Sequence, residues 1–303
     1  MNKCFCHFSN HLEFDRLKGN GYEVKDAKAR NDISKLSSNI IYADMVGFIK
    51  FNTLEEANSY TDNTNDDLYN QYCTENSKIV FGNGYYPFNN KCKLYPRFEI
   101  EGNGGSNSVL VFNNYGFVAD EKLYYQEIYF HDFSIISESH SIDIVNDKVN
   151  FPLSLYKNKF RRLKVNSLNG DCFHSYVGRN ANNTDVLQFE NEFEDIMVTA
   201  PNGAGFNGFY SVLTIFRRIS DVGNQTPYIF RNCGGKFVDC NTSFSKARWF
   251  LYWDDQTTWN SFDLIMEKLT VVPFKDFVRA SVLPVGSKSI TNRLISLGIP
   301  MGF

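Results

Sequence analysis

Two aspartates in this chain each stand three residues from a histidine, in His140-Ser-Ile-Asp143 and in Asp171-Cys-Phe-His174. Glu138 precedes the first group, and Tyr176 and Arg179 follow the second. Paired carboxylates can cleave a glycosidic bond, one protonating the leaving oxygen while the other attacks at a separation of about 5 Å or activates water at about 6.5–9.5 Å. An elimination would instead need a base such as histidine, tyrosine or arginine and a group that neutralises a uronate. Asp143, Asp171, His174 and Glu138 are therefore the candidate catalytic residues, and His140, Tyr176 and Arg179 are candidate ligand-binding residues. Trp249, Tyr252, Trp253 and Trp259 form an aromatic group suited either to filling a core or to stacking on sugar rings, and its three tryptophans join the binding set. A polar outer face with an ordinary share of Asp and His would look the same. The opposed order, histidine first in one group and last in the other, is also what chance produces.

The elements that must position these residues are marked by a returning pattern of an apolar residue, any residue, a charged residue and an apolar residue. It reads Phe130-His-Asp132-Phe133, Phe160-Arg-Arg162-Leu163, Phe193-Glu-Asp195-Ile196, Phe216-Arg-Arg218-Ile219 and Phe237-Val-Asp239-Cys240, with Phe98-Glu-Ile100 as a degenerate early copy. The leading phenylalanines are 30, 33, 23 and 21 residues apart, which are solenoid periods lengthened by loops. Inward and outward positions alternate and then slip by one at the charged residue, as when a strand turns a corner. Such a turn cannot bury its apolar face alone, so it needs an equivalent face about 4.8 Å above and below. The expected fold is all-β, a right-handed single-stranded parallel β-helix with one rung per repeat and a short N-terminal helical region. Aligning backwards from the corners puts His140–Asp143 and Asp171–His174 on one sheet of neighbouring rungs.

The corner residues Asp132, Arg162, Asp195, Arg218 and Asp239 alternate in sign. Stacked rungs would set each carboxylate between two guanidinium groups, a ladder worth at most about 1 kcal/mol per exposed pair but one that opposes a slip of one rung. These charges read as structural and stand apart from the candidate site.

Composition narrows the function. A net charge of −3, with no basic run interleaved with aromatics, gives no sign of nucleic-acid binding. The 28 Phe, 17 Tyr and 3 Trp suit strands and also sugar stacking. Seven cysteines without a CxxC pair read as buried thiols of a protein made in a reducing cytoplasm, and Cys4-Phe-Cys6-His7 lacks the second half of a metal knuckle. No metal or cofactor is expected, and no phosphate loop, nucleophile elbow, HExxH or cysteine–histidine signature is present. Without a leader or a long apolar run, no membrane insertion is expected, and a protein working outside the cell would leave by a route such as lysis.

Along the chain, Ala29, Ile33, Leu36 and Ile40 fall on the seam of a short heptad helix between Tyr22 and Met45, or on one face of an ordinary surface helix. Thr53-Leu-Glu-Glu56 is a capping box that predicts a helix over 54–60, and a second helix is expected over 66–73. Trp249–Trp253 lies in an aromatic strand, and Leu264 to Val272 reads as a last strand or short helix. The divisions expected are 1–75 helical and attachment region, 76–272 β-helix, and 273–303 extended tail.

Ile79-Val-Phe-Gly-Asn-Gly84-Tyr-Tyr86, Leu94-Tyr-Pro-Arg-Phe98-Glu-Ile-Glu-Gly102-Asn-Gly and Val109-Leu-Val-Phe112 together resemble the entry into pectate-lyase-like β-helices, most of all those of phage tailspikes. Val24-Lys-Asp-Ala-Lys-Ala-Arg30-Asn-Asp-Ile33 is similar to the trimerisation helices of tail fibres and spikes. Ser289-Ile-Thr-Asn-Arg293 with Gly298-Ile-Pro-Met-Gly-Phe303 resembles the approach to a closing motif of tail proteins, at whose first Phe the sequence stops. The resemblance implies a virion tail component, made in the host bacterial cytoplasm, acting as a homotrimer beside other tail proteins and recognising a host surface polysaccharide. It is equally compatible with an active depolymerase, hydrolase or lyase, and with a purely structural tail protein, because one solenoid hosts all three.

Overall fold

A computed structural model describes residues 39–280 except 120–124, 144–154, 175–187, 210, 213, 224–225, 231–234, 244–248, 254–263, 268–269 and 272–275. The described chain is mostly strand, with three short helices near its start. Every strand-to-strand ladder is parallel, in sheets of fourteen, eight and four strands. The chain visits them in rotation. Lys159–Ser167 lies in the largest sheet, Phe173–His174 in the second and Gln188–Phe189 in the third, and Glu192–Thr199 then pairs directly beside Lys159–Ser167. The next turn repeats the path through Ala204–Phe209 and Ser211–Val212 to Thr214–Val222.

Pairing in register puts each side chain over its counterpart one repeat away. One column runs Ile41, Ile79, Ile100, Phe130, Phe160, Phe193, Phe216 and Phe237, and the backbone register continues to Met266. Its rings stack face to face from Phe160 onward, with centroids 5.0, 5.0 and 4.7 Å apart and planes within 9°. A second column holds Phe173 over Phe206, 4.8 Å apart, and Phe173 meets Phe193 edge-on at 84°. The core is thus two perpendicular stacks of phenyl rings, an edge-to-face geometry that suits the ring quadrupole.

The corners have a backbone cause. Asp132, Arg162, Asp195, Arg218 and Asp239 all adopt left-handed φ values between 50° and 64°. One such residue rotates the strand and shifts the inward–outward phase by one, at a conformational cost of about 1 kcal/mol. Within the charged ladder, Arg162 clasps Asp132 through Nε and Nη2, and Arg218 does the same to Asp195. Each clasp uses the Nε/Nη2 edge of the guanidinium, and Arg218 Nη2 also donates to Glu194 at 2.7 Å. Beside the corner, Arg161 reaches Glu192 at 2.8 Å and Arg217 reaches Glu194 at 3.3 Å.

A second left-handed corner escaped the sequence reading. Asn76, Arg97, Glu127, Lys157 and Glu190 occupy it at φ 51–62°. The buried Asn158 and Asn191 follow the last two, and the Asn158 carboxamide oxygen accepts the Ile128 N–H while that of Asn191 accepts the Asn158 N–H. Buried turn amides that point along the stack are satisfied this way by the rung below.

Several expectations need correction. Ile100, not Phe98, is the counterpart of Phe130. Phe98 is buried just ahead of its strand and packs edge-on against Tyr69. Ile40 opens a strand, Ile40–Tyr42, that pairs with Lys78–Val80, so it is not the last position of a helical seam, and pairing begins well before residue 76. Ala29, Ile33 and Leu36 lie outside the described residues. Within the stretch read as a last strand or short helix, Leu264–Glu267 and Thr270–Val271 are strands that add a further layer. Asp276–Ala280, expected in an extended tail, pairs with Trp249–Trp253.

The helices cover the first layer. Thr53 and Glu56 form the capping box of the helix Leu54–Ser59. The helix Thr64–Tyr72 lays Tyr69 over Phe88, Phe98 and Phe117, and the Tyr69 hydroxyl donates to the carbonyl of Lys93, in the edge strand Cys92–Lys93. A strand edge and an open apolar end are both closed by one side chain.

Phe160→Ala or Phe193→Ala should cost about 3–5 kcal/mol, because each removes a ring with neighbours on both faces and leaves a cavity. Denaturant unfolding checks this, and unchanged midpoints in both variants would remove the stacked column. The Arg162 guanidinium, with His131 beside it and burial opposing, holds the Asp132 carboxyl down at about 2. A depressed folded value stabilises fully above the unfolded value near about 4 and is lost as pH falls through about 2. Asp132→Asn should therefore flatten the fall in stability between those values, and equal slopes in variant and parent would contradict the pairing.

Candidate functional site

The strands Ile142–Asp143 and Phe173–His174 are neighbours in the eight-stranded sheet, with Asp143 beside His174 in register. The turns before them bring His140 and Asp171 together in the same way, for the Asp171 N–H donates to His140 Nδ1 at 2.9 Å. The two groups form a square with a histidine and an aspartate on each rung. The opposed order in sequence is what sets each histidine against the aspartate of the other rung.

Along one side of the square, His174 Nδ1 lies 2.8 Å from Asp143 Oδ1. Because that carboxylate accepts, Nδ1 carries the proton and Nε2 of a neutral His174 is a lone pair. Nε2 faces Asp171 Oδ2 at 3.9 Å. One imidazole therefore spans the two carboxylates, which bounds their separation to within roughly 9 Å, inside the span that cooperating acids use. The imidazoles of His140 and His174 stack with centroids 4.2 Å apart and planes 10° from parallel. Burial, then the neighbouring His174, pushes the pKa of His140 down against the pull of Asp171 and Asp143. Its Nδ1 is an acceptor, consistent with the neutral ring.

The carboxylates are less open than the expected groove. The side chains of Asp143 and Asp171 are 11% and 9% exposed, while those of His140 and His174 keep 23% and 20%. Asp171 is also occupied: Oδ1 accepts the Ala204 N–H at 2.7 Å and Oδ2 accepts from Asn207 Nδ2 at 2.9 Å. What the square presents outward is imidazole, not a pair of free acids.

Local sequence builds the close approach. A Cβ on Gly170 would stand 2.7 Å from the backbone nitrogen of His140, and one on Gly203 would stand 2.1 Å from the carbonyl oxygen of Gly170. Only glycine lets these three turns nest. Beneath them, Ser137 and Ser167 both donate to the Ser139 carbonyl, and Ser137 Oγ bonds Ser141 Oγ at 2.7 Å, so buried hydroxyls fix the turn that carries His140.

Glu138 is not part of the square. It is exposed on the outer turn and accepts from Asn169 Nδ2 at 2.5 Å, and Asn169 Oδ1 in turn accepts from Asn202 Nδ2 at 3.2 Å. Trp249 and Trp253 begin and end a strand two sheet positions beyond Ala204–Phe209. Tyr176, Arg179 and Trp259 lie outside the described residues. Sequence reasoning missed Tyr115, whose exposed ring lies 5.8 Å from His140, together with Asn169, Asn202 and Asn207. Counting five residues from Phe112 to Phe117, as from Ser137 to Ile142, would have aligned Tyr115 with His140.

Among the described residues two groups have the spacing of a metal site, His140 with Asp171 and His174, and Glu99 with Glu101 and His131. The second already holds a cation, since the Lys78 ammonium pairs with both glutamates. Chemically the first group can orient an imidazole lone pair, hold a proton or a cation between nitrogen and oxygen, and offer N–H edges to hydroxyls. Compared with known protein families, characterised proteins and solved structures, the chain shows no match.

Proposed function

We propose that the chain is a right-handed parallel β-helix that serves as a phage tailspike or tail-fibre component, a homotrimer beside other tail proteins on the virion, recognising a host surface polysaccharide. The rotation of the chain through three parallel sheets supports the coil, and parallel crossovers are right-handed in nearly all proteins for reasons of strand twist. The observation that carries the recognition reading is the outer turn: Tyr115 and His140 stand beside a ladder of Glu138, Asn169 and Asn202, one polar group per layer. Layers about 4.8 Å apart repeat at a step comparable to one sugar residue, so amides can meet successive hydroxyls while the tyrosine ring packs on a sugar face. The fixed length of the step favours a regular polymer over a single small ligand.

A depolymerase on the same scaffold is the second reading, favoured by the contact of Asp143 with His174, which orients an imidazole as a general base. The paired-carboxylate hydrolase is less well supported, because Asp171 is held by two donors and both acids are covered.

Purified protein on arrays of bacterial surface glycans should bind a subset of polymers, and Tyr115→Ala should weaken that binding at least about tenfold, a loss of about 1.4 kcal/mol. Reducing-end release by the bound polymer's digestion would convert the reading to depolymerase. Absence of binding to any polymer, with folded protein, would leave a structural tail protein.

A further inference from the structure

We propose that the square of His140, Asp143, Asp171 and His174 is a site for a divalent transition-metal ion of the zinc class, with His174 Nε2, Asp171 Oδ2 and His140 as ligands. This goes beyond the glycan reading and does not rest on it. Three acceptor atoms from two layers converge here. His174 Nδ1–H donates to Asp143, so the Nε2 lone pair looks at a carboxylate oxygen 3.9 Å away. His140 Nδ1 is marked as an acceptor by the Asp171 N–H, and it lies 3.5 Å from the same Asp171 Oδ2. All three ligand atoms fall within 4.8 Å of one another. Among the described residues no lysine or arginine pairs with Asp143 or Asp171, in contrast to the Glu99 cluster with its Lys78. The Asp171 N–H meets His140 Nδ1 and Asn207 Nδ2 meets Asp171 Oδ2, so an ion entering the square replaces these two contacts with stronger bonds to the same acceptor atoms.

The donor set selects the ion. Two imidazoles and one carboxylate suit zinc, cobalt or nickel, whereas calcium and magnesium prefer all-oxygen shells. Ligands about 2.0–2.2 Å from a tetrahedral ion stand roughly 3.3–3.6 Å apart, close to the present 3.5 Å and 3.9 Å separations from Asp171 Oδ2. Asp143 supplies the outer carboxylate that orients a ligating histidine and sharpens its basicity. The rings now lie 10° from parallel, and two lone pairs in nearly parallel planes cannot meet at one ion. His140 therefore turns out of the stack on binding, aided by its partial exposure. Three ligands leave one position, on the side where the imidazoles reach solvent, for water or a hydroxyl of a bound polymer.

Titration of the chelator-treated full-length protein with zinc or cobalt(II) alone tests the site. One ion per chain should bind, raising the melting temperature, and cobalt should give the visible band of a four-coordinate nitrogen–oxygen site without thiolate charge transfer, which separates it from Cys4, Cys6 and His7. His174→Gln should weaken binding at least about 100-fold and Asp143→Asn about 10–100-fold. Asp171→Asn also touches the Ala204 and Asn207 contacts, so His140→Gln, folded by circular dichroism, serves as the second ligand variant and should weaken binding likewise. Glu99→Gln should change nothing. No saturable binding, binding unchanged in His174→Gln and His140→Gln, or a thiolate band alone would overturn the proposal.

Discussion

Everything in this structure depends on the parallel ladder between one repeat and the next. Because hydrogen bonds hold equivalent residues side by side, each residue type meets its own kind or its counterpart one layer away. Phenylalanines become a stack with 5 Å centroids, buried asparagines pass amide hydrogen bonds down the turn, and charges must alternate or repel. The same rule that makes the core makes the candidate site. Asp143 faces His174, and His140 faces Asp171, only because two strands of two residues each are held in register.

Charge alternation has a role that packing cannot supply. A column of phenylalanines would accept a slip by one layer with little loss, since every layer offers a similar ring. Moving Arg162 opposite Arg218 or Asp132 opposite Asp195 would juxtapose like charges at two left-handed corners. The charged corner thus fixes which layers are neighbours, while the phenyl stack fixes how tightly they pack.

Much of this was legible because inward phenylalanine and a signed corner residue recur in one short phrase. Four column intervals, the corners and the pairing of the two Asp/His groups could be read from spacing alone. The second corner was not, since its left-handed φ falls mostly on residues outside the Gly, Asn and Asp types that favour it: Arg97, Glu127, Lys157 and Glu190 look like ordinary surface charges. Phe98 misled because it is apolar and two residues from the true column position, where Ile100 stands. Ile40 continued a helical spacing by coincidence, and a strand pairing decided its conformation. Burial of Asp143 and Asp171 was also invisible, because it depends on how closely Gly170 and Gly203 let three turns nest.

The stacked register is the claim on which the phenyl core, the corner pairs and the Asp/His square all rest. Lys78 and Lys236 belong to one column of the backbone register through Glu99, Tyr129, Lys159, Glu192 and Ile215. Spin labels at these two positions measure its length by double electron–electron resonance. Six layer steps of about 4.8 Å predict a narrow distribution centred near 29 Å, broadened only by the label arms. A broad distribution, or a centre displaced by more than about two layers, would contradict the register and with it the geometry of the site.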